Sequence, residues 1–128
     1  MTAVPLRWRD LDALGHVNHA VVLTLFEEGR DAWLSSLGIP RNEYVVGRCT
    51  LSFEHEVGAD LRSVDVACVA VDVRASSLTT RERLTGAAGR LLVQGEFELV
   101  LWDPRRRRPR PITDGERTAF ARDAEAMA

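Results

Sequence analysis

RDLDALGHVNHAVVLTLFEEGRDAWLSSLG, residues 9–38, runs from a crowded polar loop into a segment of helical period, and its reading decides the fold. From residue 19 to residue 37, Val22, Leu25, Phe26, Gly29, Trp33 and Leu37 fall on one face. Thr24, Glu27, Glu28, Asp31 and Ser35 fall on the other, the pattern of a helix with one buried stripe. Asn18 is a favoured N-cap, Gly38 suits the left-handed position after the last turn, and Pro40 blocks continuation.

Downstream the period changes to two. Cys49, Leu51, Phe53 and Val57 alternate with polar residues as in a half-buried strand, with His55 on the apolar side. Ser63–Val73 is apolar in both phases, which predicts a strand covered on both faces over part of its length. LTTRERLT (78–85) reads as a polar strand, GAAG (86–89) as a turn, and Arg90–Trp102 as another strand. AVPLRW (3–8) adds a fifth, with Pro5 favouring a sheet edge. A short helix is predicted over Glu116–Ala126, and DPRRRRPRP (103–111) reads as an exposed loop. No helix separates the later strands to make parallel crossovers. The expected class is therefore α+β, a five-stranded antiparallel sheet with one long helix.

At 128 residues the chain suits one domain spanning 1–128. It has no apolar run long enough to cross a bilayer and no secretory leader pattern at its start, so the cytoplasm is the expected location. Cys49 and Cys68 form no C-x-x-C and are expected as buried, reduced thiols. All 17 basic residues are arginine. The absence of lysine excludes Schiff-base catalysis and the lysine-containing phosphate loop. Against 19 acidic residues the net charge is −2, and nucleic acid is not an expected partner in spite of the arginines at 105–108 and 110.

The loop before the helix carries the candidate chemistry. The first backbone N–H groups of a helix lack internal acceptors and lie at the positive end of its dipole, so those near His19 and Ala20 could hold an oxygen that gains negative charge. Asn18 would satisfy one such donor. Asp10 and Asp12 lie upstream, where Gly15 allows the chain to bend back; a carboxylate there could attack a carbonyl or take a proton from water. His19 could orient water or substrate, which completes in outline an acyl-transfer site. The alternative is turn and capping aspartates beside a surface histidine. A metal held by Asp12, His16 and His19 is a weaker option, since three ligands from one short loop make a poor cage.

The segment Arg7–Gly38, with D-x-D-x-x-G at Asp10–Gly15 and E-x-x-R at Glu27 and Arg30, resembles the hotdog-fold acyl-CoA thioesterases of the 4-hydroxybenzoyl-CoA thioesterase family, including its Tol-Pal-associated branch. FEHEVGADL, VRASSL and LVLWDPRRRRPRPIT extend the resemblance over most of the chain. The resemblance implies a sheet wrapped around a central helix and subunits that pair edge to edge as homodimers or homotetramers. It also implies hydrolysis of an acyl-CoA or acyl-carrier thioester without metal or organic cofactor. Asp12 would be the catalytic carboxylate, Asp10 structural, and His19 a functional histidine, with Trp8 and Val22 standing where relatives carry tyrosine. Arg74, Ser76 and Ser77 match the region that contacts the nucleotide part of coenzyme A.

Overall fold

The predicted apolar stripe becomes α1, His19–Ser36, which lies across the inner face of an antiparallel sheet. A computed structural model gives these positions and describes residues 1–7, 12, 13, 15, 17–58 and 61–127. The strands are β1 (Thr2–Pro5), β2 (Tyr44–Phe53), β3 (Ser63–Val73), β4 (Ser77–Thr85), β5 (Leu91–Asp103) and the two-residue β6 (Arg108–Pro109). Five of them run in the order β1-β3-β4-β5-β2, and β6 pairs with the end of β5. A second helix, α2 (Asp114–Met127), lies beside α1. This curled sheet around a central helix is the hotdog arrangement expected from residues 9–38 and the strands that follow.

The core explains the arrangement. Val22, Leu25, Phe26 and Leu34 of α1 pack on Val64, Val66, Leu78, Leu84, Val93, Phe97, Leu99 and Leu101 from alternate positions of β3, β4 and β5. Gly29 is where helix and sheet come closest. A Cβ there would lie 2.4 Å from Val66 Cβ, so the α1 backbone rests directly on β3. Arg30 is also buried, a position the periodicity had not placed on the inner face, while Trp33 and Leu37 are only half-buried. The Arg30 guanidinium donates from Nε and Nη2 to the two Glu82 carboxylate oxygens at 2.8 and 2.9 Å. Thr80 Oγ1 donates to the same carboxylate at 2.7 Å, and Arg30 Cζ stands 4.2 Å from the Phe97 ring centroid. Burial opposes the arginine charge, but the hydrogen bonds and field of Glu82 outweigh it and raise the Arg30 pKa above its ordinary value.

Several expectations are corrected. β2 begins earlier than the alternation suggested and ends at Phe53, because the N–H groups of Glu54 and His55 both donate to the Leu92 carbonyl, at 2.9 and 3.0 Å. His55 is therefore exposed beyond the strand and does not face the core. β2 is the far edge of the sheet and reaches past the helix, so Cys49 is exposed; Cys68 alone is buried, where desolvation and the nearby Glu82 push its thiol pKa up. β3 has one core face, Val64, Val66, Cys68 and Ala70. Its other face is half-buried to exposed, which shows that an apolar run in both phases did not mean two covered faces. The arginine-rich segment is exposed as expected, and it is additionally folded into a hairpin. Asp103 Oδ1 accepts the Arg105 and Arg106 N–H groups, and β6 folds back on β5. α2 starts at a capping box in which Thr113 Oγ1 accepts the Glu116 N–H and Glu116 Oε1 accepts that of Thr113.

Breaking the buried ion pair on one side only should cost far more than replacing it. Arg30→Met is expected to destabilise the fold by about 3–5 kcal/mol, because Glu82 is left charged and dry. Arg30→Met with Glu82→Leu should recover most of that loss in urea denaturation; a double variant as unstable as the single one would show that the carboxylate is not the penalty.

Candidate functional site

The start of α1 is held in place by its neighbours. Asn18 has the extended backbone of an N-cap, φ −75° and ψ 162°; its Oδ1 accepts the Val21 N–H at 3.0 Å and its carbonyl that of Val22 at 3.2 Å. The His19 and Ala20 amides are left without intrahelical acceptors at the positive helix end. The buried Val17 donates its N–H to the Val57 carbonyl at 2.8 Å, which ties the lead-in of the helix to the segment after β2. The His19 ring stacks on Phe53 with centroids 4.0 Å apart and planes 23° from parallel. Beside this stack is a cavity of about 220 Å³, lined by Val17, His19, Val22, Phe53, His55 and Val57 among others. Its lining is mostly apolar by area, with two imidazoles and two glutamates among the lining residues.

Asp12 is half-buried in the turn that precedes this site. Its carbonyl accepts the Gly15 N–H at 3.1 Å, and Gly15 adopts φ +78°, a left-handed conformation open to glycine. The bend expected from Gly15 is therefore present, close upstream of Asn18. Asp12 is not among the described residues that line the cavity. Trp8, Asp10 and His16 lie outside the described residues, and so does the ligand set that used His16. Among the described residues no group of three or more His, Cys, Asp or Glu side chains is placed to hold a metal ion. No described helix is long and apolar enough to cross a membrane.

Arg74, Ser76 and Ser77 form a different place, the hairpin between β3 and β4. Arg74 Nε donates to Ser77 Oγ at 3.0 Å, and Nη1 donates to Asp72 at 2.6 Å and Thr79 at 3.2 Å; Glu98 is 3.6 Å from Nη2. The Ser76 carbonyl accepts the Leu101 N–H at 2.9 Å, which fixes the hairpin to β5. Ser77 pairs with Val100, whereas Leu84 and Phe53 both pair with Val93. The hairpin thus lies at the opposite end of the sheet from the His19–Phe53 stack, roughly 23 Å away along β4 at about 3.3 Å per residue. Within one chain the structure brings Asn18 and His19 together and keeps the Arg74 cluster apart from them.

Sequence reasoning missed Phe53, His55 and Arg90 as parts of this region. His55 joins the cavity at the helix start to a second one of about 400 Å³, whose lining includes Glu56, Leu61, Gly86, Arg90 and Leu92. Arg90 Nη2 is 3.0 and 3.2 Å from the two His55 ring nitrogens. The alternating pattern carried no sign of this, because the end of β2 is set by the shared Leu92 carbonyl and not by a residue type.

Comparison with known proteins gives the arrangement a family. The chain is similar to a thioesterase from Thermus thermophilus crystallised with coenzyme A and zinc, at 27% identity and a TM-score of 0.85, over 97% of this chain and 92% of that one. SAV2348 from Staphylococcus aureus, determined in complex with CoA, matches at 15% identity and a TM-score of 0.84, over 97% and 82% of the two chains. BH1999 gentisyl-coenzyme A thioesterase matches at 20% identity and a TM-score of 0.80, over 94% and 99%. The last two likenesses establish the fold and no more. Among curated proteins there is no match. The family model described as the thioesterase-like superfamily matches residues 6–120, and the chain belongs to that superfamily.

Proposed function

We propose that this protein is an acyl-CoA thioesterase, hydrolysing a thioester to a free acid and coenzyme A, and that its finer kinship lies with the Tol-Pal-associated branch of the 4-hydroxybenzoyl-CoA thioesterases. The reading is carried chiefly by the start of α1, where the Asn18 cap leaves the His19 and Ala20 amides without helical partners next to a largely apolar cavity. A thioester carbonyl seated at those amides becomes an oxyanion when attacked, and one donor of this kind typically contributes about 2.7–4 kcal/mol to the transition state. Asp12 supplies the carboxylate. It either attacks the carbonyl, expelling the coenzyme thiolate and leaving an anhydride that water cleaves, or it takes a proton from water that attacks directly. His19 orients water or substrate from its stack on Phe53. No metal or organic cofactor enters this chemistry.

Coenzyme binding falls to Arg74, Ser76 and Ser77. In the proposed assembly two chains pair antiparallel along β2, an edge with Val45, Val46 and Phe53 39%, 44% and 41% exposed. Antiparallel pairing reverses the ends of the sheet, so that the hairpin of one subunit comes to the side of the helix start of the other. Asp72 and Glu98 hold the guanidinium in exposed ion pairs, which are weak enough for a phosphate to displace. An acyl-carrier thioester could use the same catalytic groups.

Asp12→Asn should lower kcat at least about 100-fold while the melting temperature and coenzyme A binding stay as in the native protein. Full activity in that variant would remove Asp12 from the mechanism. Tight binding of a thioester panel by the native protein without any hydrolysis would instead establish a non-catalytic acyl-binding domain. Arg74→Ala should raise KM for an acyl-CoA more than for the matching N-acetylcysteamine thioester, and equal effects would deny it a phosphate.

A further inference from the structure

The cavity beyond His55 has a charge arrangement that simple thioester cleavage does not use. Arg90 immediately precedes β5, just after the Gly86–Gly89 turn, with its Nη2 within 3.2 Å of both ring nitrogens of His55. Among the described residues no carboxylate comes within ion-pair distance of the Arg90 guanidinium, although Glu56 also lines the cavity. Arg30, Arg74 and Arg110 each meet a carboxylate, whereas the exposed Arg90 meets the His55 ring. Imidazole is a poor counter-charge for guanidinium. The contact orients the arginine without neutralising it, and bringing the two together favours any anion that can touch both.

Two leucines give this cavity an apolar side. Leu61 and Leu92 close over the Gly86 backbone, where an added Cβ would stand 3.3 and 3.1 Å from their Cδ1 atoms, so the turn is already packed against these side chains. The cavity of about 400 Å³ shares His55 and Glu56 with the one at the helix start, and together they flank the segment after β2. A chain leaving the thioester carbonyl near His19 would pass His55 and reach Arg90.

We infer that the His55–Arg90 cavity seats an anionic oxygen group of the substrate, namely the carboxylate at the far end of a short acyl chain. The preferred substrates are then ω-carboxyacyl thioesters, made by activation of one end of a dicarboxylic acid. This rests on the thioesterase reading above. A coenzyme phosphate offers the same oxygen chemistry, and the comparison of leaving groups below separates the two sources. Arg90 would give the carboxylate two parallel N–H donors, and a His55 ring N–H would contribute a third.

The test compares glutaryl and butyryl thioesters, each as the coenzyme A and the N-acetylcysteamine derivative, in the native protein and in Arg90→Ala. Failure of the native protein to cleave any of the four would count against the thioesterase reading; the binding measurement below still tests the subsite. The inference predicts that the glutaryl-over-butyryl ratio of kcat/KM falls about tenfold or more in Arg90→Ala, with both leaving groups. Arg90→Lys should retain part of the preference. An unchanged ratio would overturn the inference. So would an equal loss on both acyl groups confined to the coenzyme A derivatives, since that assigns Arg90 to a phosphate. Binding gives a readout independent of turnover: free glutarate should shift the Arg90 side-chain Nε–Hε resonance of the native protein, whereas butyramide, which carries no anionic oxygen, should not. Identical responses to the two compounds would also contradict it.

Discussion

Everything at the helix-start end depends on how α1 is seated on the sheet. A helix that touched β3 and β4 only through leucines and valines could slide by a turn at modest cost, because apolar contacts are not directional. Two features prevent this. Gly29 lets the backbone rest on Val66, a contact that no other residue permits without movement. One position later, Arg30 places a charge-assisted fork on Glu82, with 3% and 0% of the two side chains exposed. Such a pair contributes little net stability, but a slipped helix would leave both charges dry and unpaired, so it selects one register. The register in turn fixes where His19 stands.

That placement gives the two ends of the sheet different jobs. At one end the helix begins, Asn18 caps it, and His19 rests on Phe53 beside a cavity. At the other, Tyr44 donates to Asp31 at 2.6 Å, Arg110 ties Glu43 to Glu116, and the Arg74 hairpin turns back. The second end is laced with hydrogen bonds and ion pairs. At the first, packing predominates, and the His19 and Ala20 amides have no acceptor within the helix. β2 spans both ends at an open edge, so a chain paired there would join unlike ends.

The fold was legible because its signals are local. The helix stripe, the Asn18 cap, the Gly38 stop at φ +87° and the strand periods each rest on a few neighbouring residues. What the sequence concealed depends on contacts distant along the chain. Arg30 reads as a charged residue on a helix and is buried only because Glu82, fifty-two positions on, meets it. Cys49 and Phe53 have the alternation of a covered strand, yet on this sheet edge Cys49 is exposed and Phe53 stays 41% exposed beneath the His19 ring. At the candidate site the cap and the Gly15 bend were visible in advance. His55 was assigned to the strand because its departure is caused by the Leu92 carbonyl, and the pairing of His55 with Arg90 joins two segments thirty-five residues apart.

The central claim is that the helix start receives a thioester oxygen, and a crystal structure with a non-hydrolysable acyl-CoA analogue, its sulfur ester replaced by a ketone, tests it most directly. The account predicts the ketone oxygen at about 2.7–3.1 Å from the His19 or Ala20 amide nitrogen, with the Asp12 carboxylate facing the carbonyl carbon. A ligand bound with that oxygen turned away from the helix start, or with Asp12 directed elsewhere, would contradict it.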